Sequence, residues 1–194
     1  TGEKIIVSGI DLKNAVPFSV EVDRVIVTVP LTVLKKQRII FTPSLPSTKI
    51  TALSRMDMDP VLRVLLDFKA NFWGTSSGFL YGGTEAPEHF TSGVGRSDIN
   101  RTMSVTVGGA KAAELSLLGK GAIPVLLGEL DTIFEGKATS TIRKDINDNS
   151  IAVIQDWSLE PFIGGGASYV KPGGTNQDRI DIAAPIENKL FFAG

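Results

Sequence analysis

The stretch that decides the fold of this sequence is Phe191-Phe192-Ala193-Gly194. An apolar run ending in glycine is typical of a strand that leads into a phosphate-binding turn, where backbone N–H groups at the start of a helix hold a pyrophosphate. The sequence ends at that glycine and opens on a strand-like run just after Thr1. We therefore expect a piece of a larger nucleotide-binding protein that carries the strand but not the rest of the turn.

The composition predicts a soluble globular domain and excludes several kinds of site. The 194 residues suit one domain, with 42% hydrophobic and 21% charged residues. The net charge is −1, and the basic and acidic residues are scattered along the chain. Because they form no long basic stripe, no nucleic-acid partner is expected. Cysteine is absent, which removes disulfides and thiolate chemistry and fits a reducing, cytoplasmic location. No apolar run reaches about 18 residues, so no membrane span is predicted.

Apolar patterns predict a mixture of strands and helices. β-branched residues recur in Pro17–Pro30, and Val61–Phe68 is a nearly continuous apolar run broken by Arg63. Helical spacing is found in Ala110–Leu118 and Ile123–Phe134. The other predicted strands are Glu3–Gly9, Gly78–Tyr81, Thr102–Val107, Ala138–Arg143, Ile151–Trp157 and Lys189–Ala193. This order predicts an α+β fold in which helices pack on one face of a mixed sheet.

Three short motifs receive structural interpretations. Asp145–Ser150 imitates the start of a calcium loop, but Ser150 stands where glycine is required and strands flank the segment, so a hairpin turn is predicted. His89 is the only histidine, too few for a histidine metal site, and its neighbours indicate a surface loop entering a strand. Gly164–Gly166 lacks the spacing of a dinucleotide fingerprint and offers only close approach of backbone to a flat ligand. No metal site is predicted.

Arg63 is a charged residue surrounded by the apolar residues Val61, Leu62 and Val64–Leu66. A charged group in such a strand needs an ion-pair partner, a water-filled cavity or an exposed face. Strand alternation places Arg63 on the same face as Val61 and Leu65. Both a structural arginine, snorkelling or ion-paired, and a functional arginine remain open.

The order of several segments resembles that of the flavin-containing amine oxidases, which include monoamine, polyamine and L-amino-acid oxidases and histone lysine demethylases. The matching segments are, in order, Asp23–Leu31 with Val33-Leu34, Ile40–Pro46, Val61–Phe68 with Phe72-Trp73, Trp157, Ser168-Tyr169 and Pro185–Gly194. They resemble the family's ADxVIxTxPLxVL, IxFxPxLP, KVxLxFxxxFW and W…GxYSY…P…LFFAGE segments. The resemblance covers nearly the whole chain.

The resemblance implies that residues 1–194 form a single substrate-binding domain of a larger flavoenzyme and end at the edge of its C-terminal FAD-binding segment. It implies a mixed, mostly antiparallel sheet of about six strands flanked by helices, with one face forming the substrate cavity over the flavin. FAD is expected to be held mainly by the parent's own FAD-binding domain. Pro30, Trp157, Ala193 and Gly194 occupy cofactor-binding positions, although an ordinary core role for Trp157 remains open.

Two residues depart from the family pattern. The active-site lysine of the family aligns with Arg63, a predicted catalytic residue whose planar group is bulkier than that of lysine and stays protonated. Ala167 replaces the first tyrosine of the family's aromatic cage, and Tyr169 matches the second. The predicted substrate-binding residues are Phe79, Leu80, Tyr81, Ala167 and Tyr169.

The resemblance also implies a reaction, in which a hydride leaves the carbon next to an amine nitrogen for the flavin and dioxygen reoxidises the flavin. The changes at Arg63 and Ala167 leave two alternatives open. One is a flavoprotein oxidoreductase that acts on a non-amine substrate, such as a desaturase or isomerase. The other is a non-catalytic binding module with the same fold.

Overall fold

The structure, a computed structural model, describes residues 4–74, 78–96 and 100–194. Glu3, expected to begin the first strand, lies outside these ranges. The chain divides into two units: a discontinuous unit of Thr1–Asp57 and Ser168–Gly194, and a central unit of Met58–Ala167. The prediction that residues 1–194 form a single substrate-binding domain stays a prediction.

Strands and helices alternate along the described residues. The strands are β1 Ile5–Asp11, β2 Val16–Val22, β3 Val25–Val27, β4 Met56–Asp59, β5 Val61–Asp67, β6 Phe79–Tyr81, β7 Glu88–Ser92, β8 Thr102–Gly108, β9 Ala152–Asp156, β10 Ala167–Val170 and β11 Leu190–Phe192. The α-helices are α1 Leu31–Lys35, α2 Ser47–Arg55, α3 Gly109–Leu117, α4 Ala122–Ile133, α5 Lys137–Thr141 and α6 Asn176–Ala183.

A five-stranded antiparallel sheet with strand order β6-β7-β8-β5-β9 is the frame of the central unit. Along β5, Leu62, Val64 and Leu66 are buried, whereas Arg63 and Leu65 between them are exposed. Because side chains of a strand alternate between the two faces of a sheet, one face lies in the core and the other is open.

Helices cover the buried face. α3, α4 and α5 each contribute side chains to the same core as β5 and β8, among them Leu115, Leu126 and Ala138. An aromatic group extends this core, in which the ring of Phe68 packs edge-on against those of Phe72 and Trp73 at centroid distances of 4.9 and 5.5 Å. The predicted arrangement, with helices on one face of the sheet, is therefore present.

Three two-stranded pairs complete the strand pairing of the described part of the chain. β1 and β2 form an antiparallel hairpin, β4 pairs with β10, and β3 pairs in parallel with β11. The fold is thus the predicted mixture of helices and strands in mostly antiparallel sheets. No helix among the described ranges has both the length and the apolar composition needed to cross a membrane.

The predicted strand Ala138–Arg143 is wrong, because most of this segment is helix α5. Gly136 takes a left-handed φ of +79° after α4, and Asp131 accepts a hydrogen bond from the backbone N–H of Thr139 at 2.9 Å. The chain therefore turns back onto α4 as a short helix. Helix α6 was not predicted, although Thr175 and Asp178 form a capping box at its start.

Candidate functional site

The parallel pair β3–β11 brings two of the predicted cofactor-binding segments to one sheet edge in the discontinuous unit. Phe192 lies opposite Val27, and the next backbone N–H, that of Ala193, donates to the Val27 carbonyl at 3.0 Å. Gly194 follows with a φ of +138°, which favours glycine. Carboxyl ends of parallel strands are where α/β folds bind nucleotides. Pro30 follows β3 by three residues, so the three predicted cofactor-binding residues Pro30, Ala193 and Gly194 come after the carboxyl ends of the two paired strands.

Lys49 fixes the elements around β11. Its Nζ donates to the backbone carbonyls of Asp181, Ile182 and Ala184 at 3.0, 2.5 and 2.8 Å, and so caps the end of α6. The same nitrogen lies 4.0 Å from the ring centroid of Phe192. Burial lowers the pKa of Lys49, and the nearby Asp181 carboxylate opposes this shift. Sequence reasoning missed Lys49, because its partners are far away along the chain.

The open face of the five-stranded sheet is a second candidate site, and it lies in the central unit. We define it by nine exposed or half-buried residues that these five strands direct away from the core, and Ser104, which shares this face by register, is buried. The nine residues are Phe79, Tyr81, Glu88, Phe90, Thr106, Arg63, Leu65, Gln155 and Val153. The face is partly apolar, since Phe79, Tyr81 and Val153 are 60%, 75% and 59% exposed.

Arg63 lies near the middle of the open face. It is paired with Thr106 on β8 and with Gln155 on β9, and its side chain is exposed. It makes no ion pair with any residue that the structure describes. The charge of Arg63 is thus accommodated by an exposed face and not by an ion pair. Its guanidinium group is accessible to a ligand.

The strand Phe79–Tyr81 divides between the two faces. Phe79 and Tyr81 are on the open face with parallel rings 6.1 Å apart, and Phe90 packs on Phe79 with ring centroids 4.9 Å apart. Leu80 is half-buried against the core on the opposite face. Only two of these three predicted substrate-binding residues therefore share a face with Arg63.

Trp157 is held by its backbone where β9 ends. Its N–H donates to the Val61 carbonyl at 3.1 Å, and its carbonyl accepts from the N–H of Gly165 at 3.0 Å. Gly166 donates to the Asp59 carbonyl at 2.8 Å, and a Cβ on Gly166 would overlap the side chain of Val61. The glycine run thus allows the backbone to approach the start of β5 closely. This packing explains why glycine is needed there without a bound ligand.

Ala167 and Tyr169 both belong to β10 and are exposed. Ala167 falls at the end of the central unit and Tyr169 within the discontinuous unit. Their predicted roles in substrate binding, like those of the other assigned site residues, stay predictions.

His89 is not in a surface loop, which corrects the sequence interpretation. It lies in β7 with 1% of its surface exposed, on the core face. Its Nε2 is 3.9 Å from the carboxylate of Glu129 in α4. Burial lowers the pKa of His89, and the charge of Glu129 opposes the shift.

Glu129 anchors the turn between β6 and β7. Its two carboxylate oxygens accept the backbone N–H groups of Glu85 at 2.6 Å and Ala86 at 2.9 Å. A Cβ at Gly83 would lie 2.5 Å from one of these oxygens, so the turn needs glycine there. This nearly buried carboxylate fixes the hairpin that carries the exposed aromatic rings, and no local sequence signal indicated it.

The segment Asp145–Ser150 is a turn, as predicted. The carboxylate of Asp145 accepts the backbone N–H groups of Asn147 and Asn149 at 2.8 and 2.9 Å. These hydrogen bonds, that from Asn149 most of all, lower the pKa of Asp145. The carboxylate therefore stabilises its own turn.

Comparisons of this chain with a family model and with curated proteins agree with each other. A family model described as "Flavin containing amine oxidoreductase" matches residues 6–194. The chain is 32% identical over 177 residues to "Lysine-specific histone demethylase 1 homolog 3" of Arabidopsis thaliana, a match that covers 89% of this chain and 10% of that protein. It is 27% identical over 180 residues to human "Lysine-specific histone demethylase 2", covering 88% of this chain and 21% of that protein.

Solved structures show the same fold. Wild-type putrescine oxidase bound to putrescine matches with a TM-score of 0.71 at 23% identity, covering 90% of this chain and 37% of that chain. Cyclohexylamine oxidase from Brevibacterium oxydans IH-35A matches with a TM-score of 0.74 at 19% identity, covering 91% and 38%. The chain spans 10–24% of the length of the curated relatives it matches.

Proposed function

Because the chain belongs to the flavin containing amine oxidoreductase family, we propose that it is the substrate-binding part of an FAD-dependent enzyme that oxidises amines. The observation that carries this proposal is the match of the family model to residues 6–194. FAD, when bound, accepts a hydride from the carbon next to the amine nitrogen and passes the electrons to dioxygen.

The residues of this chain would act by binding and orienting. The backbone at Ala193 and Gly194, with Pro30 three residues after the neighbouring strand β3, would hold the dinucleotide at the carboxyl edge of β3–β11. Arg63 supplies a permanent positive charge and planar N–H donors that hold water or a substrate oxygen. Tyr169 would provide one aromatic contact for the amine, and Ala167, two residues earlier on the same strand, lacks the second ring of the family pattern.

The test uses the full-length protein that contains this chain, loaded with FAD. A panel of mono-, di- and polyamines and a methylated lysine peptide is mixed with it without oxygen, and loss of the oxidised flavin absorbance is followed. We expect reduction by at least one amine. If no amine reduces the flavin, amine oxidation is excluded.

The departures at Arg63 and Ala167 favour a second candidate, a flavoenzyme acting on a non-amine substrate. This candidate predicts a stable flavin complex with no amine-dependent reduction. The double variant Arg63→Lys with Ala167→Tyr separates the two, since it restores the family residues. A faster amine-dependent reduction in this variant indicates an amine oxidase with an altered site, and no gain supports the second candidate. The cytoplasmic location stays a prediction.

A further inference from the structure

We infer that His89 and Glu129 form a proton-sensitive latch, in which proton uptake by His89 releases the β6–β7 hairpin from helix α4. We define the latch by these two side chains and by the backbone of Glu85 and Ala86 in the hairpin turn. All four residues belong to the central unit. The inference concerns the conformation of that unit and does not depend on the proposed amine oxidation.

His89 is buried on the core face of the sheet without a hydrogen bond to its ring. Its side chain is 1% exposed, and neither ring nitrogen has a hydrogen-bond partner within the part of the chain that the structure describes. A neutral imidazole tolerates this position better than an imidazolium, which carries a charge and two N–H donors. Burial accordingly lowers the pKa of His89, although the carboxylate of Glu129 and the backbone of Leu80 oppose the shift.

The carboxylate of Glu129 is shared between the turn and His89. Its Oε2 accepts the backbone N–H of Ala86 at 2.9 Å, and the same oxygen lies 3.9 Å from Nε2 of His89. A charged hydrogen bond to the ring requires about 2.8 Å, so this oxygen would have to move about 1 Å closer to His89. Because both carboxylate oxygens are already bound to the turn, through Ala86 and through Glu85 at 2.6 Å, that movement loosens the hold on the hairpin.

Glu129 is the charged group that faces His89 from α4. Asp131, the other charged residue of α4, binds the backbone of α5 instead. The neighbouring strand β8 carries no titratable side chain. In β6 only Tyr81 is titratable, and the register directs it to the open face together with Glu88 of β7. The response of His89 to protonation is therefore decided by Glu129.

An exposed ion pair is a second connection between the hairpin turn and the helices. Nζ of Lys111 in α3 lies 3.4 Å from the carboxylate of Glu85 and 2.8 Å from that of Glu114. Ion pairs that water reaches contribute little to stability. The buried carboxylate of Glu129 therefore remains the main attachment of the turn.

The β6–β7 hairpin is the part of the sheet that is best suited to open. β6 has only three residues and is an edge strand, paired with β7 alone among the described strands. Edge elements of this kind open locally at a lower free energy than the whole domain. Leu80 of β6 lies opposite His89, so displacement of β6 admits water to the ring. The exposed histidine then titrates near its ordinary pKa of about 6.5, and a pH below this value favours the open hairpin.

Hydrogen–deuterium exchange of the full-length protein at pH 7.5 and 5.5 tests the latch. Protection factors, corrected for the intrinsic exchange rate at each pH, are compared between peptides that cover β6 and β7 and peptides that cover β5. His89→Leu removes the titrating group. Glu88→Gln is the matched control, because Glu88 is a titratable side chain exposed on the same strand one residue earlier.

We expect the hairpin to be less protected than β5 at pH 7.5, and its protection to fall about tenfold by pH 5.5. Low concentrations of urea should change the protection of the hairpin little, because a local opening exposes little surface. The fall with pH should persist in Glu88→Gln and disappear in His89→Leu.

Three results would overturn the latch: equal protection of the hairpin and β5, no fall between the two pH values, or an undiminished fall in His89→Leu. The first two are measured on the unaltered protein. They therefore decide the question even if His89→Leu does not fold.

Discussion

At the scale of single residues, the side chain of Lys49 is buried and its ammonium group is surrounded by backbone carbonyls. It is 3% exposed and satisfies three carbonyls at the end of α6. Lys49→Met keeps most of the volume but leaves these carbonyls unpaired. We expect a loss of about 2–3 kcal/mol in the free energy of unfolding.

Urea denaturation measures this loss, and Lys36→Met is the control. Lys36 is exposed in the same unit, so its replacement should change stability by less than about 0.5 kcal/mol. Equal effects of the two variants would show that the contacts of Lys49 contribute nothing.

His89 makes a pH-dependent contribution that can be isolated, since it is the only histidine. Its pKa is lowered in the folded protein by burial, so the unfolded chain takes up the proton first as the pH falls. The contribution of His89 to the free energy of unfolding is therefore fully present above the unfolded pKa of about 6.5. It decreases below that pH by at most about 1.4 kcal/mol per pH unit. Thermal unfolding between pH 7.5 and 5.5 should show this decrease in the wild type and a much flatter profile in His89→Leu.

At the scale of the secondary-structure element, β5 shows the difference between the two faces of the sheet, because its buried and exposed side chains alternate. Leu66 is fully buried, whereas its neighbour Leu65 is 38% exposed on the open face. Leu66→Ala should lower the free energy of unfolding by about 2–5 kcal/mol, and Leu65→Ala by less than about 1 kcal/mol. Chemical denaturation of this matched pair measures the difference. Similar losses would contradict the assignment of the faces.

Elements with a strong local pattern could be predicted from the sequence. The alternation along β5 placed Arg63 beside Leu65, as observed, and the apolar run before Gly194 was correctly interpreted as a strand. The mostly antiparallel sheet and the positions of the site residues were predicted from the family resemblance and not from local pattern. Local pattern failed at Ala138–Arg143, where packing against α4 outweighs the presence of β-branched residues.

Residues whose roles depend on distant partners could not be predicted. Glu129 lies on a helix but binds the backbone of Glu85 and Ala86 on the other side of the core. The burial of His89 follows from the register of β7 with β8, which no nearby residue indicates. Sequence reasoning therefore finds the strand that bears Arg63, but not the contacts that hold the neighbouring hairpin.

At the scale of the whole molecule, we predict how tightly this chain by itself binds FAD from how much of the cofactor site it is expected to contain. It covers 37% of the putrescine oxidase chain that it resembles, and its predicted cofactor-binding positions are Pro30, Ala193 and Gly194 at the edge of β3–β11 and Trp157 after β9. We expect the chain by itself to purify without stoichiometric FAD, as judged from the absorbance spectrum and a denatured supernatant. A yellow preparation with one flavin per chain would refute this.

The parallel pairing of β3 with β11 also has a consequence for the order of folding during synthesis. Every strand pair of the five-stranded sheet joins residues of one continuous segment, whereas β3 must wait for a partner near the far end of the sequence. Pairings between distant segments form slowly, and domains fold as their sequence emerges from the ribosome. Limited proteolysis of ribosome-bound chains of increasing length should show residues 58–167 protected first. The sheet that carries Arg63 would then be complete in a nascent chain that still has no edge on which to receive a dinucleotide.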